Sequence, residues 1–391
     1  MSSERGLKRE AAKSIIGVVD AARSITLAIA ARAAQHDRAG SFNFENFDDL
    51  ARAGLLGLMV PKALGGHGAT ATVGAEVVGT IAQADASTAL VLAMHYIHHW
   101  VMATQARWPV HLSRKLQQES VSGIALINAL RVEPDLGSPS RGGMPETIAR
   151  RTDTAWRLTG HKIYSTGSPI LKYYAVWAKT DEAEPRAGLF LVPAGLPGTT
   201  TRKTWDHLGL RASGSDDVIF DDVVFPLDHE IDVRPPAQWG RPDVAQSAIH
   251  AVFISSIYDG VARAAREWLV TFLRNRKPAN LGASLATLPR MQEVVGRIEA
   301  RLNVNARLIA SFAAEIDDGI YPDVSDANIL KHTVTNNAVA AVEDALSLTG
   351  NHGLSRTNPL ERHYRDVLCG RVHTPQDDAT RLAAGRLALG I

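Results

Sequence analysis

The pattern of apolar and polar positions divides the chain into a helical front, a strand-rich middle and a helical back. Within residues 10–36, Ile15, Val18, Val19, Ala22, Ile25 and Ile29 share one helical face. Lys13, Asp20, Arg23 and Arg32 fall mostly elsewhere, which describes an amphipathic helix. The same period predicts helices over 46–56, 72–84, 86–105 and 110–119. Gly65-Gly66-His67-Gly68 marks a tight loop between two of them.

Near residue 121 the period changes. Ile124–Leu130, Trp156–Tyr164, Tyr173–Lys179, Leu189–Val192 and Asp217–Phe225 are short runs rich in β-branched and aromatic residues, separated by Gly, Pro, Asp and Ser. Their spacing predicts a small antiparallel barrel or sandwich, and Pro226 with Pro235-Pro236 marks a linker after it. From 243 the helical period returns. Asp243–Arg276 reads as one long helix that ends before Pro278. In residues 288–318, Val295, Ile298, Leu302, Ile309, Phe312 and Ile316 form a seam with Asn305 at one otherwise apolar position. Ser325 or Asp326 is positioned to cap a third helix running to Gly350, and a last helix spans 375–389. The predicted class is α+β: an N-terminal helical domain over 1–120, a middle β-barrel domain over 121–230, and a C-terminal four-helix-like bundle over 240–391.

Composition narrows the function classes. The chain has 391 residues, and 42 Lys+Arg against 41 Asp+Glu leave a formal charge of +1, so no basic field for nucleic acid is expected. The single cysteine, Cys369, excludes an intramolecular disulfide and a Cys-cluster metal site. The N-terminal MSSERGLKRE has no apolar signal core, and no uninterrupted apolar run reaches about 18 residues, so neither export nor a membrane span is expected and a cytoplasmic setting is the default.

Several motifs fail on inspection. Gly66-His67-Gly68-Ala69-Thr70-Ala71 lacks the third glycine of a dinucleotide fingerprint, and there is no P-loop or nucleophile elbow. His95, His98 and His99 have helical spacing but no neighbouring Asp, Glu or Cys ligand, which favours pocket lining over a metal site. Asp216-Asp217 and Asp221-Asp222 read as solvated hairpin ends.

Four segments in order resemble the acyl-CoA dehydrogenase superfamily of flavoenzymes. Pro61-Lys62-Ala63-Leu64-Gly65-Gly66-His67-Gly68 is similar to its Pro-x-x-x-Gly-Gly-x-Gly loop. Gly160-His161-Lys162-Ile163-Tyr164-Ser165-Thr166-Gly167 resembles its Gly-x-Lys strand, whose end lies against the flavin. Leu208-Gly209-Leu210-Arg211-Ala212-Ser213 resembles the Leu-Gly-x-Arg-x-Ser turn. Gly350-Asn351-His352-Gly353, Pro359-Leu360-Glu361-Arg362 and Arg365-Asp366 resemble the C-terminal signature. The resemblance implies FAD, with FMN also compatible. It places Tyr164, Ser165 and Thr166 at the flavin edge, and Arg276, Gln292, Ser347, Gly350 and Asn351 at the dinucleotide tail. It also implies a homotetramer.

The departures bear on the chemistry. The family's catalytic Glu, counted from Arg365-Asp366, falls on Thr374, which is no base near neutral pH. The alternative family position for that Glu resembles His250. Asp377 and Asp378 lie nearby, about one helical turn out of register. The sequence around His373, together with Ala93-Met94-His95, instead resembles the branch of dibenzothiophene monooxygenase and related two-component enzymes. Those use reduced flavin and O2, and a histidine suits proton handling there. Three functions follow. The first is a reduced-flavin monooxygenase with His373 and His95 catalytic, a small-molecule substrate and a separate flavin reductase. The second is an FAD-dependent acyl-CoA dehydrogenase with Asp377 or Asp378 as a displaced base, motivated by Val132-Glu133-Pro134-Asp135-Leu136-Gly137-Ser138, which resembles the Thr-Glu-Pro-x-x-Gly-Ser loop. The third is a scaffold without catalysis, which the intact flavin-edge motif disfavours.

Overall fold

The computed structural model describes residues 2–137, 143–239 and 243–391, with the side chains of residues 2–16 outside the description. Ile15 and Ser138 therefore lie outside what can be compared. Helices α1 (Ser2–Ala39), α2 (Phe44–Arg52), α3 (Ala71–Ala84), α4 (Ala86–Thr104) and α5 (Val110–Ser122) form the front. The Asp85 carboxylate caps α4 by accepting from the Thr88 amide at 3.0 Å. Val18, Val19, Ala22 and Ile29 are buried on the predicted face of α1.

Eight strands follow among the described residues: β1 (Leu126–Leu130), β2 (Ile148–Arg151), β3 (Ala155–Ser165), β4 (Leu171–Thr180), β5 (Ala187–Pro193), β6 (Thr199–Arg202), β7 (Asp216–Pro226) and β8 (Glu230–Arg234). They form one sheet in the order β6-β7-β3-β2-β4-β5-β8, with β1 on β4. Two pairings differ from the antiparallel expectation: β1 and β2 both run parallel to β4. β4 is buried along nearly its whole length, as a strand covered on both faces must be. β2, β6 and β8 escape the sequence pattern because they are short and mostly charged or Thr-rich. β8 also occupies part of the stretch read as linker.

The back is a bundle of α6 (Val244–Asn275), α7 (Pro289–Asp317) and α8 (Val324–Ser347), followed by α9 (Asn351–Leu354), α10 (Leu360–Leu368) and α11 (Asp377–Leu389). Asp323 caps α8, two residues earlier than expected, by accepting from Asp326 N. The α7 seam is rotated slightly from prediction: Val294 is buried, while Val295, Ile309 and Phe312 are only partly covered. Asn305 is fully buried and donates to Asp259 Oδ1 at 3.1 Å, while its carbonyl accepts from Asn337 at 2.9 Å. Its presence in the seam is thus satisfied by hydrogen bonds. Helix α10 is short, and beside its apolar positions Leu360, Tyr364, Val367 and Leu368 it also buries Arg362, His363 and Asp366.

Two clasps place the strand ends that matter for function. Lys162 on β3 is fully buried and donates to Glu133 Oε1 at 2.6 Å. Glu133 also accepts from the amides of Glu146 and Thr147 and from the Thr147 hydroxyl at 2.6 Å. Gly160 permits this approach, since a Cβ there would sit 2.3 Å from Thr147 Oγ1. The second clasp joins the sheet to α10. The Leu210 amide donates to Asp366 Oδ1 at 2.7 Å, and a Cβ on Gly209 would lie 2.2 Å from the Arg365 carbonyl. Arg365 in turn holds Asp37 of α1 at 2.6 Å. Glu133→Ala should cost about 3–5 kcal/mol in urea unfolding, because it strands a buried ammonium. The Glu133→Leu/Lys162→Met double variant should recover most of that loss. A single-variant cost below about 1 kcal/mol, the scale of a surface pair, would contradict the clasp.

Candidate functional site

The end of β3 builds an aromatic wall. Tyr164 has a left-handed backbone (φ 56°), a conformation an aromatic residue adopts only when its surroundings impose it. Its ring is 53% exposed and meets the edges of Trp205 and His207 at 6.2 and 5.8 Å. Trp205 and His207 stack on each other at 3.7 Å. Ser165 is buried, and its hydroxyl has no partner among the described residues. Thr166 shares a hydrogen bond with Ser215 at 2.9 Å, and its carbonyl accepts from Asn128 of β1 at 3.0 Å. A half-open aromatic face beside an orphan hydroxyl fits a planar group with polar edges, which is what a flavin ring is.

A second cluster lies where α6, α8 and the C-terminal segment meet. The Lys331 side chain is completely buried on α8, and its ammonium donates to the carbonyls of His373 and Pro375, each at 2.8 Å. Burial lowers its pKa to about 8, though Asp377 at 3.7 Å opposes that. The chain held in this way presents His373 to Tyr258, a buried α6 residue whose phenol hydrogen-bonds His373 Nδ1. Burial lowers the His373 pKa to about 3, helped by Lys331 and His250, so the ring is neutral and Tyr258 is the donor. His250 lies two turns before Tyr258 on α6 and makes no hydrogen bond to the described residues. Burial lowers its pKa to about 4, with Lys331 and Arg131 adding to the effect. The structure therefore brings His250 and His373 into one electrostatic neighbourhood.

The two candidate carboxylates face other groups. Asp377 accepts from Asn336 at 2.7 Å and lies 3.3 Å from His332. Burial alone would raise its pKa, but the contacts with Asn336, His332 and Lys331 outweigh that and hold it below the usual range. Asp378 is exposed at the start of α11 and accepts from the Ala379 amide. His95 is fully buried on α4: Nε2 donates to the Leu56 carbonyl at 3.0 Å, and Nδ1 accepts from the Ile127 amide at 3.4 Å. Its ring lies 4.3 Å from that of His99, which bonds Ser120. His98, one turn further along α4, is the α4 histidine with no hydrogen bond to the described residues, packed edge-on against Trp108 at 6.4 Å.

The tail candidates gather at one end of the bundle. Arg276 follows α6, Gln292 lies in the first turn of α7, Ser347 ends α8, and Gly350 and Asn351 lead into α9; all five are exposed. Phe272 and His352, 5.2 Å apart, show the α6 and α9 ends meeting. Trp205, His207, Tyr258 and Lys331 were not singled out from sequence. Lys331 alone carries a readable signal there, a lone cation beside the apolar α8 positions Leu330, Val334 and Ala338. Among the described residues no group of His, Cys, Asp and Glu could hold a metal ion, and no helix is long and apolar enough to cross a membrane.

Comparisons with known proteins agree with this architecture. The family descriptions "Acyl-CoA dehydrogenase" N-terminal, middle and C-terminal domain match residues 18–106, 131–223 and 252–377. A putative acyl-CoA dehydrogenase, YdbM of Bacillus subtilis, is 32% identical over 90% of this chain and 92% of its own. The L-evernosamine nitrososynthase of a Micromonospora species is 30% identical over 96% of this chain and 90% of its own. The structure of KijD3 in complex with FMN and a dTDP-amino-keto sugar superposes with a TM-score of 0.86 at 28% identity, covering 97% of this chain and 94% of that one. The fold and these matches together show that the chain belongs to the acyl-CoA dehydrogenase family of flavin-dependent oxidoreductases.

Proposed function

We propose that this chain is a monooxygenase that uses reduced flavin and O2 to oxygenate a nitrogen-bearing small molecule. The observation that carries this reading is the neutral His250–His373 pair around Lys331: the resemblance puts the family's carboxylate base at Thr374, next to His373, or alternatively at His250. A dehydrogenase needs a basic group to take the proton α to a thioester. Here two rings with pKa values near 4 and 3 are weak bases, and both aspartates are engaged or exposed. Similarity to nitrososynthases supports nitrogen as the oxygen acceptor.

Tyr164, Ser165 and Thr166 would hold the flavin ring edge, and Arg276, Gln292, Ser347, Gly350 and Asn351 a dinucleotide tail across a subunit contact. A bound reduced flavin supplies the two electrons that split O2, one oxygen going to the substrate nitrogen and the other leaving as water. Tyr258 donates to Nδ1 of the neutral His373 ring, which puts the ring proton on Nε2 and makes that nitrogen a donor at the reacting centre. Desolvation, with the Lys331 ammonium adding to it, keeps both rings neutral. A separate reductase would deliver the reduced flavin, and the bundle would join four copies. FMN and FAD are both compatible with the edge geometry. A dehydrogenase acting on acyl-CoA is the second reading, favoured by the similarity to YdbM.

Single-turnover oxidation under 18O2 with a panel of primary amines should give product carrying one labelled oxygen. Unlabelled or absent oxygenated product across the panel would overturn the assignment. His373→Asn should lower kcat by about 10²-fold, the scale of a lost proton-transfer group, with flavin affinity retained. An unchanged kcat would remove His373 from the chemistry.

The same rings set an acid limit on stability. Both histidines have folded pKa values below the ordinary 6.5, so their contribution is complete above that pH and is lost as pH falls toward 4. Asp366 acts in the opposite sense: burial raises its pKa to about 7, so its contribution is lost as pH rises through 7. Urea midpoints should fall from pH 6.5 to 4 in the wild type and fall less in the His250→Asn/His373→Asn double variant. Parallel curves would show that these rings are not held neutral by burial.

A further inference from the structure

Arg131 follows directly after β1 and precedes the loop clasped by Glu133. Its side chain is half-buried, yet among the described residues it forms no ion pair and no hydrogen bond. Its one close partner is Trp177 of β4, whose ring centre lies 5.6 Å from the guanidinium carbon. Trp177 is itself buried, and its indole N–H is an orphan donor. The ring also packs edge-on against Trp239 at 4.7 Å, and Trp239 donates to the Ala187 carbonyl at 2.8 Å. Two unpartnered donors thus sit in one rigid contact.

The acids nearest to Arg131 are already committed. Asp243 pairs with Arg107 at 2.7 Å and caps α6 through the Gln246 amide at 3.0 Å. Asp232 accepts from Arg234 Nε at 2.5 Å. Three arginines therefore face two aspartates, which leaves one uncompensated cation in a partly dry place. An arginine so placed costs free energy unless something anionic meets it. Two more groups without hydrogen bonds to the described residues feel the Arg131 charge: His98 of α4, which is buried, and His250 of α6. They belong to α4 and α6, two helices that pack against each other. A planar guanidinium with free N–H groups and an adjacent indole N–H matches the acceptor geometry of a carboxylate or phosphate.

We propose that Arg131 and Trp177 form an oxyanion subsite that selects substrates carrying a carboxylate or phosphate group. This rests on the reading that the neighbouring histidine pair belongs to a substrate site, and it adds a charge requirement to that site. Arg131 and Trp177 are specificity-determining rather than catalytic, since they act on the substrate's charged end and not on the reacting nitrogen.

The flavin-loaded enzyme is titrated with butyrate, methyl phosphate and the uncharged isostere butyramide, following tryptophan fluorescence and thermal stability. At least one anion should bind, and butyramide should not compete with it. Preference for butyrate identifies a carboxylate site, and preference for methyl phosphate identifies a phosphate site. Arg131→Gln should weaken the preferred anion by about 10- to 100-fold, the scale of a lost charge-assisted pair. Trp177→Phe, which keeps the aromatic face and removes the N–H, should weaken it by several-fold with flavin affinity unchanged. Binding of neither anion, equal binding of butyramide, or wild-type anion affinity in both variants overturns the proposal. A negative 18O result with anion binding intact would sink the oxygenase reading and leave this subsite standing.

Discussion

Lys331 lies with its whole side chain out of water, so its ammonium must find its partners inside the protein. It finds two backbone carbonyls, those of His373 and Pro375, which no helix is using. That bond pair fixes the path of the chain between α10 and α11 and thereby the position of the His373 ring. Tyr258 then fixes the ring's orientation from α6. The same ammonium, close to both rings, helps to keep His250 and His373 uncharged. One buried cation therefore sets the geometry of the candidate reacting centre and adds to the desolvation that keeps its rings neutral. Its effect reaches α11 as well, where Asp377 turns toward it and toward Asn336 and His332 and away from a free catalytic role.

The candidate flavin edge depends on a different buried charge. Lys162 and Glu133 hold the end of β1 against the end of β3, so Arg131, Val132 and Tyr164 come from strands that share one clasp. Removing either partner would leave a charge uncompensated, which is costlier than losing the pair together. The aromatic wall of Tyr164, Trp205 and His207 belongs to the same region, and its loop is anchored to α10 by Asp366 and to α1 by Arg211 and Arg365. All three layers of the fold thus converge on the site.

Much of this was legible in the sequence, and the part that was not has physical reasons. The long helices announce themselves by period because each buries a continuous stripe; α6 is capped by Asp243 as the sequence implies. The Gly-x-Lys strand and the Leu-Gly-x-Arg turn are legible because close backbone approach demands glycine at Gly160 and Gly209. Helix α10 was missed because it spans only nine residues, and its apolar positions Leu360, Tyr364, Val367 and Leu368 are interleaved with charged and polar ones, several of them buried. The environment of His95 was not legible either: its spacing with His98 is helical, but only tertiary packing shows that backbone groups occupy both of its nitrogens. Lys331 and Arg131 were overlooked for a related reason. A charge's importance inside a protein comes from what fails to neutralise it, and that is a property of the packed structure.

On the proposed reading, the histidine pair and its buried lysine stand in place of a base for α-proton abstraction from a thioester. Anaerobic titration of the oxidised flavoenzyme with a series of acyl-CoA thioesters tests this most directly. The long-wavelength flavin band should persist throughout the series. Stoichiometric bleaching by any acyl-CoA would contradict it and return the chain to the dehydrogenases.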